Sequence, residues 1–284
     1  MKGLVVINKP KGWTSRDVVN KVRNTLHVKE SGHMGTLDPQ GEGVLLVGVG
    51  KATRLFDTLL QKDKIYRAHF TFGYETDTLD GDGKVVLETD VIPSKQEVLS
   101  VLDKFVGECD QLPPAYSAKN INGVRAYDLA RKGIEFELKP SRVNIYSLKL
   151  LSQDSDNTFY FEIHCSAGTY IRSICRDVAY ALGSLATMTS ITRIKTGKFK
   201  IEDSVTMEQF LQMGESAVVP LEVALSDFAR VDIDEQYYEK LCNGVKLDFT
   251  TAPPSPFTVY CKNELFGLGE VVDSRLKIKP YLRD

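Results

Sequence analysis

Lys64-Ile65-Tyr66-Arg67-Ala68-His69-Phe70-Thr71-Phe72-Gly73-Tyr74 alternates with a period of two. Tyr66, Ala68, Phe70, Phe72 and Tyr74 share one face, and Arg67, His69 and Thr71 share the other, which predicts a strand with one buried and one wet face. Downstream, residues 142–151 and 158–165 read as two more strands joined across the polar turn 153–157. A helix then starts near Tyr170, with Ile171, Ile174, Cys175, Val178 and Leu182 on one face and Gly183 closing it. Upstream, residues 3–9 form an apolar strand stopped by Pro10 and Gly12. Thr14 and Asp17 have capping-box spacing ahead of a helix over 15–27. Residues 31–43, crowded with Gly32, Gly35, Pro39, Gly41 and Gly43, read as a loop leading into the strand Val44-Leu45-Leu46-Val47. An acidic loop over 75–83, a helix over 94–106, an extended stretch over 111–119 and a short helix over 125–132 complete this part. Strands and helices do not alternate regularly, so the expected class is α+β with a mixed sheet.

A boundary is expected near residue 225, giving units 1–225 and 226–284. Beyond it come a helix over 235–241, the separator Pro253-Pro254-Ser255-Pro256, and three short strands near 256–280. That suffices for a small β-rich appendage, marginal alone and foldable when docked.

Composition narrows the functional classes. The chain has 284 residues, 42% hydrophobic and 26% charged, with a formal charge of −2, which excludes disorder as its main state. Its longest apolar stretch, 43–50, falls far short of the ~20 residues that cross a bilayer, and Met1-Lys2-Gly3-Leu4 shows no secretory pattern. Five cysteines without a CxxC pair argue against a disulfide scaffold or zinc site and fit a reducing cytoplasm. The small net charge hides segregation. Residues 1–70 carry 12 basic and 6 acidic side chains, 71–109 carry 3 and 9, 110–200 carry 13 and 8, and 201–284 carry 8 and 15. Two basic blocks can fold into one positive cleft suited to a polyanion.

Nucleotide motifs fail. Gly50-Lys51 is followed by Ala52 and has Leu45 where a P-loop needs glycine, while Gly48-Val49-Gly50 has Thr53 where a dinucleotide fingerprint needs a small residue. Residues 77–83 lack calcium-loop spacing, and His27, His33, His69 and His164 include no close pair. What remains is Asp38 in Gly32-His33-Met34-Gly35-Thr36-Leu37-Asp38-Pro39, which taken alone also reads as a turn initiator. Arg172 stands in the first turn of a helix whose expected N-cap is Thr169. The macrodipole opposes a cation there by ~0.3–1 kcal/mol, which points to an anion opposite.

These stretches together resemble the TruB-type pseudouridine synthases. The Gly32–Pro39 segment, continuing through Gly43-Val44-Leu45 to Gly50-Lys51-Ala52-Thr53-Arg54, is similar to the family's catalytic signature. Further blocks follow in the family's order: Asn8-Lys9-Pro10-Lys11-Gly12, Lys64-Ile65-Tyr66, Thr76-Asp77-Thr78-Leu79-Asp80-Gly81-Asp82-Gly83, Pro113-Pro114-Ala115-Tyr116-Ser117-Ala118-Lys119, Gly168-Thr169-Tyr170-Ile171-Arg172-Ser173 and Thr192-Arg193-Ile194-Lys195-Thr196-Gly197. The resemblance spans roughly residues 3–200. It implies a pseudouridine synthase fold with a mixed, largely antiparallel central sheet and a PUA-like C-terminal module, no cofactor and no metal. The activity it implies is isomerisation of uridine 55 in the T-loop of tRNA after base flipping. Asp38 matches the nucleophile, Tyr66 the tyrosine stacked on the target base, and Arg172 the arginine paired with the aspartate. His33 and Tyr170 match pocket residues, and Ile191 falls where many members have leucine. Lys9, Lys11, Lys119 and Arg193 are candidate substrate contacts. The implied partner is the T-arm of tRNA, bound by a cytoplasmic monomer that needs no protein partner and no membrane. The acidic 201–284 region departs from a basic RNA-binding surface. Two other readings stay open: a non-catalytic tRNA-binding or chaperone protein, and an RNA-guided enzyme of the dyskerin type.

Overall fold

The alternating stretch lies near the middle of a large sheet. The computed structural model describes residues 1–121 and 123–283. In chain order its elements begin with β1 (Gly3–Lys9), α1 (Ser15–Thr25), β2 (Ser31–His33), β3 (Glu42–Val49) and α2 (Phe56–Leu60). There follow β4 (Lys64–Phe72), β5 (Tyr74–Thr76), β6 (Val85–Glu88), α3 (Lys95–Leu102) and β7 (Gly107–Gln111). The short hairpin β8 (Asn120–Ile121) and β9 (Val124–Arg125) precedes α4 (Ala126–Arg131), β10 (Ser141–Gln153), β11 (Thr158–Cys165), α5 (Ile171–Ala181) and β12 (Ala186–Thr196). β13 (Phe199–Lys200), α6 (Met207–Met213), β14 (Val218–Val219) and α7 (Leu221–Ala224) close the first sheet. The last segment holds β15 (Arg230–Ile233), α8 (Tyr238–Cys242), β16 (Leu247–Asp248), β17 (Phe257–Cys261), β18 (Glu264–Val272) and β19 (Arg275–Tyr281).

The central sheet runs β14-β1-β3-β12-β4-β11-β10-β7, with β13 and β2 paired at its margins. Every pairing along it is antiparallel except β12 with β3. Its fold is therefore α+β with a mixed, largely antiparallel sheet, as the resemblance implies. α3 and α5 cover one face of the β4-β11-β10 half, burying Val98, Leu102, Ile174 and Val178 against Phe70, Phe159 and Phe161. The other face of that half stays polar, with Arg67, His69, Tyr160 and Glu162 standing on it. The β1-β3 half is covered on both faces, by α1 and α6 on one side. On its other side Leu4, Val6 and Met34 share a core with Tyr260, Leu265, Leu268 and Leu282. A five-stranded sheet, β15-β17-β18-β19-β16, thus docks behind the first one. Lys2, Lys51 and Arg54 donate to the carbonyls of Leu282, Arg283 and Tyr281 across that joint.

Several local expectations are corrected. The 31–43 loop contains β2, whose three residues pair with β3 as an edge extension. The helix expected over 94–106 ends at Leu102 in a 3-10 turn, leaving Leu99 and Val106 exposed. The helix expected over 235–241 splits into a 3-10 turn and α8. Thr169 does not cap α5. Its hydroxyl bonds the Ser166 carbonyl, and the N-cap is Tyr170, which lacks a capping side chain. Among the described residues, no helix is long and apolar enough to cross a membrane.

Candidate active site

Asp38 sits where the backbone cannot drift. Successive carbonyls from residue 35 to 39 are each held from behind. Arg193 donates to Gly35 and Thr36, and the Ser15 hydroxyl donates to Leu37. The Gly41 N–H donates to Asp38, while Lys9 and the Gly12 N–H donate to Pro39. The Leu37 N–H in turn donates to Ser15 Oγ at 2.9 Å. A loop lacking regular structure thereby has all its carbonyls from residue 35 to 39 bonded, which limits drift of the Asp38 backbone.

This accounting changes two expected contacts. Lys9 is wholly buried, and its ammonium donates to Pro10, Trp13 and Pro39 carbonyls. Burial pulls its pKa down to about 8, with Glu42 and Asp38 opposing. Arg193 is buried likewise, and its guanidinium also binds the Val44 carbonyl. Both clamp the 35–39 segment from inside, with their donors taken up by backbone carbonyls. Lys11 is exposed and stands outside the cleft that Asp38 faces. Lys119 does line that cleft while donating to Lys139 O and Ser141 Oγ.

The Arg172 side chain is 7% exposed and Asp38 43%, and Nη2 lies 2.9 Å from Asp38 Oδ2. The same nitrogen donates to Tyr116 O, while Nη1 reaches Asp80 Oδ2 at 3.2 Å and donates to Thr78 O. Four acceptors thus hold the two terminal nitrogens of one guanidinium, a strong use of the planar fork. Asp80 is itself fixed, accepting from Thr78 Oγ1 and the Asp82 N–H. Gln111 orients the start of α5 by accepting from the Tyr170 N–H and donating to its carbonyl. Asp80, Tyr116 and Gln111 have no role in the sequence reading. The acidic 75–83 loop was the available signal, and only the fold shows which of its carboxylates turns inward.

Asp38, Tyr66, Arg172, His33, Tyr170 and Ile191 all line one cleft of about 1060 Å³, on which Lys64 and Met188 also border. That exceeds the roughly 300–1,000 Å³ of small-molecule pockets. Among its described lining residues Asp38 is the single carboxylate, against eight lysines and arginines. Tyr66 is 8% exposed and packs in the sheet core while bordering the cleft. Desolvation pushes its hydroxyl pKa up, so the phenol stays protonated at neutral pH. Burial, then the Arg193 charge, pulls the His33 pKa down, and its Nδ1 is buried without a hydrogen-bond partner. Lys64, buried and also on the cleft lining, is lowered to about 8 chiefly by desolvation. Among the described residues no group of three or more His, Cys, Asp and Glu side chains is placed to hold a metal ion.

A large mixed sheet carrying one carboxylate in a cationic cleft is the architecture of an enzyme that works on a polyanion. Residues 23–171 match the profile of the TruB family pseudouridylate synthase (N terminal domain), and residues 172–226 match that of the tRNA pseudouridylate synthase B C-terminal domain. The chain belongs to the TruB family of pseudouridylate synthases. Relatives named tRNA pseudouridine synthase B include proteins from Clostridium perfringens (41% identical, covering 99% of both chains) and Clostridium tetani (40%, 99% of this chain and 100% of that protein). Another from Caldanaerobacter subterraneus is 40% identical over 98% of this chain and 97% of its own length. Among solved structures, the fold is similar to that in "Structure of H/ACA RNP bound to a substrate RNA containing 2'-deoxyuridine", with a TM-score of 0.75 at 22% identity over 99% of this chain and 85% of that one. It is also similar to "Crystal Structure of a Cbf5-Nop10-Gar1 Complex", with a TM-score of 0.74 at 23% identity over 99% and 84%.

Proposed function

We propose that the protein isomerises uridine to pseudouridine in tRNA, at position 55 of the T-loop, with Asp38 as the nucleophile. The observation that supports this most strongly is the half-exposed Asp38 carboxylate held at 2.9 Å by a buried arginine in an otherwise cationic cleft. Full-length relatives at about 40% identity carry the name tRNA pseudouridine synthase B, which favours this reading over an RNA-guided enzyme or a binding-only protein.

The reaction detaches uracil from C1′ of the ribose, turns it and rejoins it through C5, with the C5 proton lost and a proton gained at N1. A target base must first leave its stack, at a few kcal/mol. Tyr66 on the cleft floor offers an aromatic surface, worth about 1–3 kcal/mol per stacked base, and Met188 and Ile191 supply apolar walls. Asp38 must remain charged beneath that base. Arg172 offsets the desolvation and fixes the carboxylate's direction, and His33 and Tyr170 border the nucleoside's approach. We assign residues 1–225 to the catalytic unit and 226–284 to a docked PUA-like module of minor electrostatic weight. The enzyme then acts as a cytoplasmic monomer without a protein partner.

Tritium release from tRNA labelled at uracil C5 tests the proposal. The parent protein releases label and Asp38→Asn does not. Absence of release by the parent refutes the activity, and equal release by both refutes the nucleophile.

A further inference from the structure

The cations that line the cleft differ in how they are used. Arg172, Arg193 and Lys64 are internal, each bound to carboxylates or carbonyls. On the β8–β9 side, Lys119 donates to Lys139 O, and Arg125 donates to Ala118 O. By contrast, α1 and the segment after it present Arg16, Arg23 and Lys29, all exposed and all on the cleft lining. None of these three has a carboxylate or carbonyl partner among the described residues. Unpartnered cations such as Lys21 and Lys149 also stand elsewhere on the surface, beside paired ones such as Arg67 with Glu162 and Arg142 with Glu108, but among the described cations that line the cleft only these three lack a partner.

The helix register places this stripe. Val18 and Val22 face the core, so positions 16, 20 and 23, spaced four and three apart, share the opposite cleft-facing side with Val19. Arg16 and Arg23 stand about 10 Å apart along the axis. The one carboxylate within α1, Asp17, is withdrawn from the stripe by the capping box, bonding the Thr14 N–H and hydroxyl.

We propose that this face of α1, with Lys29, grips the phosphodiester backbone of the substrate RNA without reading its sequence, and so orients the strand whose base enters the cleft. The inference rests on the reading of the cleft as an RNA-modifying site. Unpaired guanidinium and ammonium groups in a row suit phosphates, and each such contact releases condensed counterions on binding.

The test is the salt dependence of binding to an in vitro tRNA transcript, measured by filter retention. The variant Arg16→Gln/Arg23→Gln/Lys29→Gln keeps good helix formers on α1. Its plot of log affinity against log salt should be flatter than the parent's by about 2–3, from roughly 0.7–0.9 per lost contact. Between 50 and 200 mM salt the parent then loses roughly 20–40-fold more affinity than the variant. Arg23→Gln alone should flatten the slope by about 0.7–0.9, which keeps the test decisive should the triple variant fold poorly. Lys21→Gln, on the same helix but off the cleft, controls for bulk charge and should leave the slope unchanged. Equal slopes for parent and variants overturn the inference, as does an equal flattening by Lys21→Gln. A parent that binds steeply and is flattened by the triple variant, yet releases no tritium, refutes the enzymatic reading while leaving the α1 contact standing.

Discussion

Replacing Asp80 with asparagine probes the least obvious part of the site. Arg172 is buried between two carboxylates, Asp38 at 2.9 Å and Asp80 at 3.2 Å. At an effective dielectric near 20, an ion pair at that second distance interacts by about 5 kcal/mol before desolvation. Asparagine keeps its one oxygen for Arg172 and turns its amide nitrogen toward Thr78 Oγ1 and the Asp82 N–H, so the loss includes the charge-assisted part of a hydrogen bond, about 1.5–3 kcal/mol of stability. Alanine leaves the guanidinium short of a buried partner and should cost about 3–5 kcal/mol. The catalytic consequence is separate. With Asp80 neutral, Arg172 loses one of the two carboxylates that fix its position against Asp38, and a displacement near 1 Å costs about 10²-fold in rate. Urea unfolding gives the first quantity, and single-turnover pseudouridine formation at saturating RNA gives the second. Combining Asp80→Asn with Arg172→Ala in a double-mutant cycle should show strong coupling, since Asp80 acts on Asp38 only through Arg172. An Asp80→Asn protein with full single-turnover rate, or one whose defect adds independently to that of Arg172→Ala, would refute the reasoning.

Two further outcomes follow from the loop's construction. Gly43 has φ near +100°, and a Cβ there would lie 2.2 Å from the Arg193 carbonyl, so Gly43→Ala should cost at least about 3 kcal/mol. Gly133, at φ +64° with open space around it, should cost only about 1–2 kcal/mol on the same change, and similar urea midpoints for the two would contradict the close-approach argument. His33 titrates below its ordinary 6.5 in the folded protein. Just below pH 6.5 the unfolded chain therefore binds the proton first, and stability falls as pH drops through that range. The parent should lose stability relative to His33→Gln on acidification from pH 7 to 5.5, a difference read from paired urea curves.

Much of this was legible without coordinates because it depends on short-range rules. The period-two run 64–74 places Tyr66 on the buried side of a strand, and the Thr14–Asp17 spacing starts α1 where the capping box forms. Asp38 stands out because a carboxylate in a glycine-rich loop matches a catalytic signature. Arg172 in the first turn of a helix violates the dipole rule, and the structure puts an anion opposite it. What sequence could not supply was the destination of long side chains. Lys9, Lys119 and Arg193 look alike in a string of letters, yet Lys9 and Arg193 are spent on the backbone of residues 35–39, and Lys119 lines the cleft while bonded to Lys139 O.

Hydrophobic period, capping and turn geometry act over a few residues, and they placed β4 and the start of α1, while Asp38 stood out through its likeness to a family signature. The tertiary structure decided which charges meet. Asp80 and Asp38 are 42 positions apart and share one guanidinium only because the sheet order brings β3, β12 and β4 together beside α5. Electrostatic partnership is set by distance and burial in space, and neither is encoded at any single position.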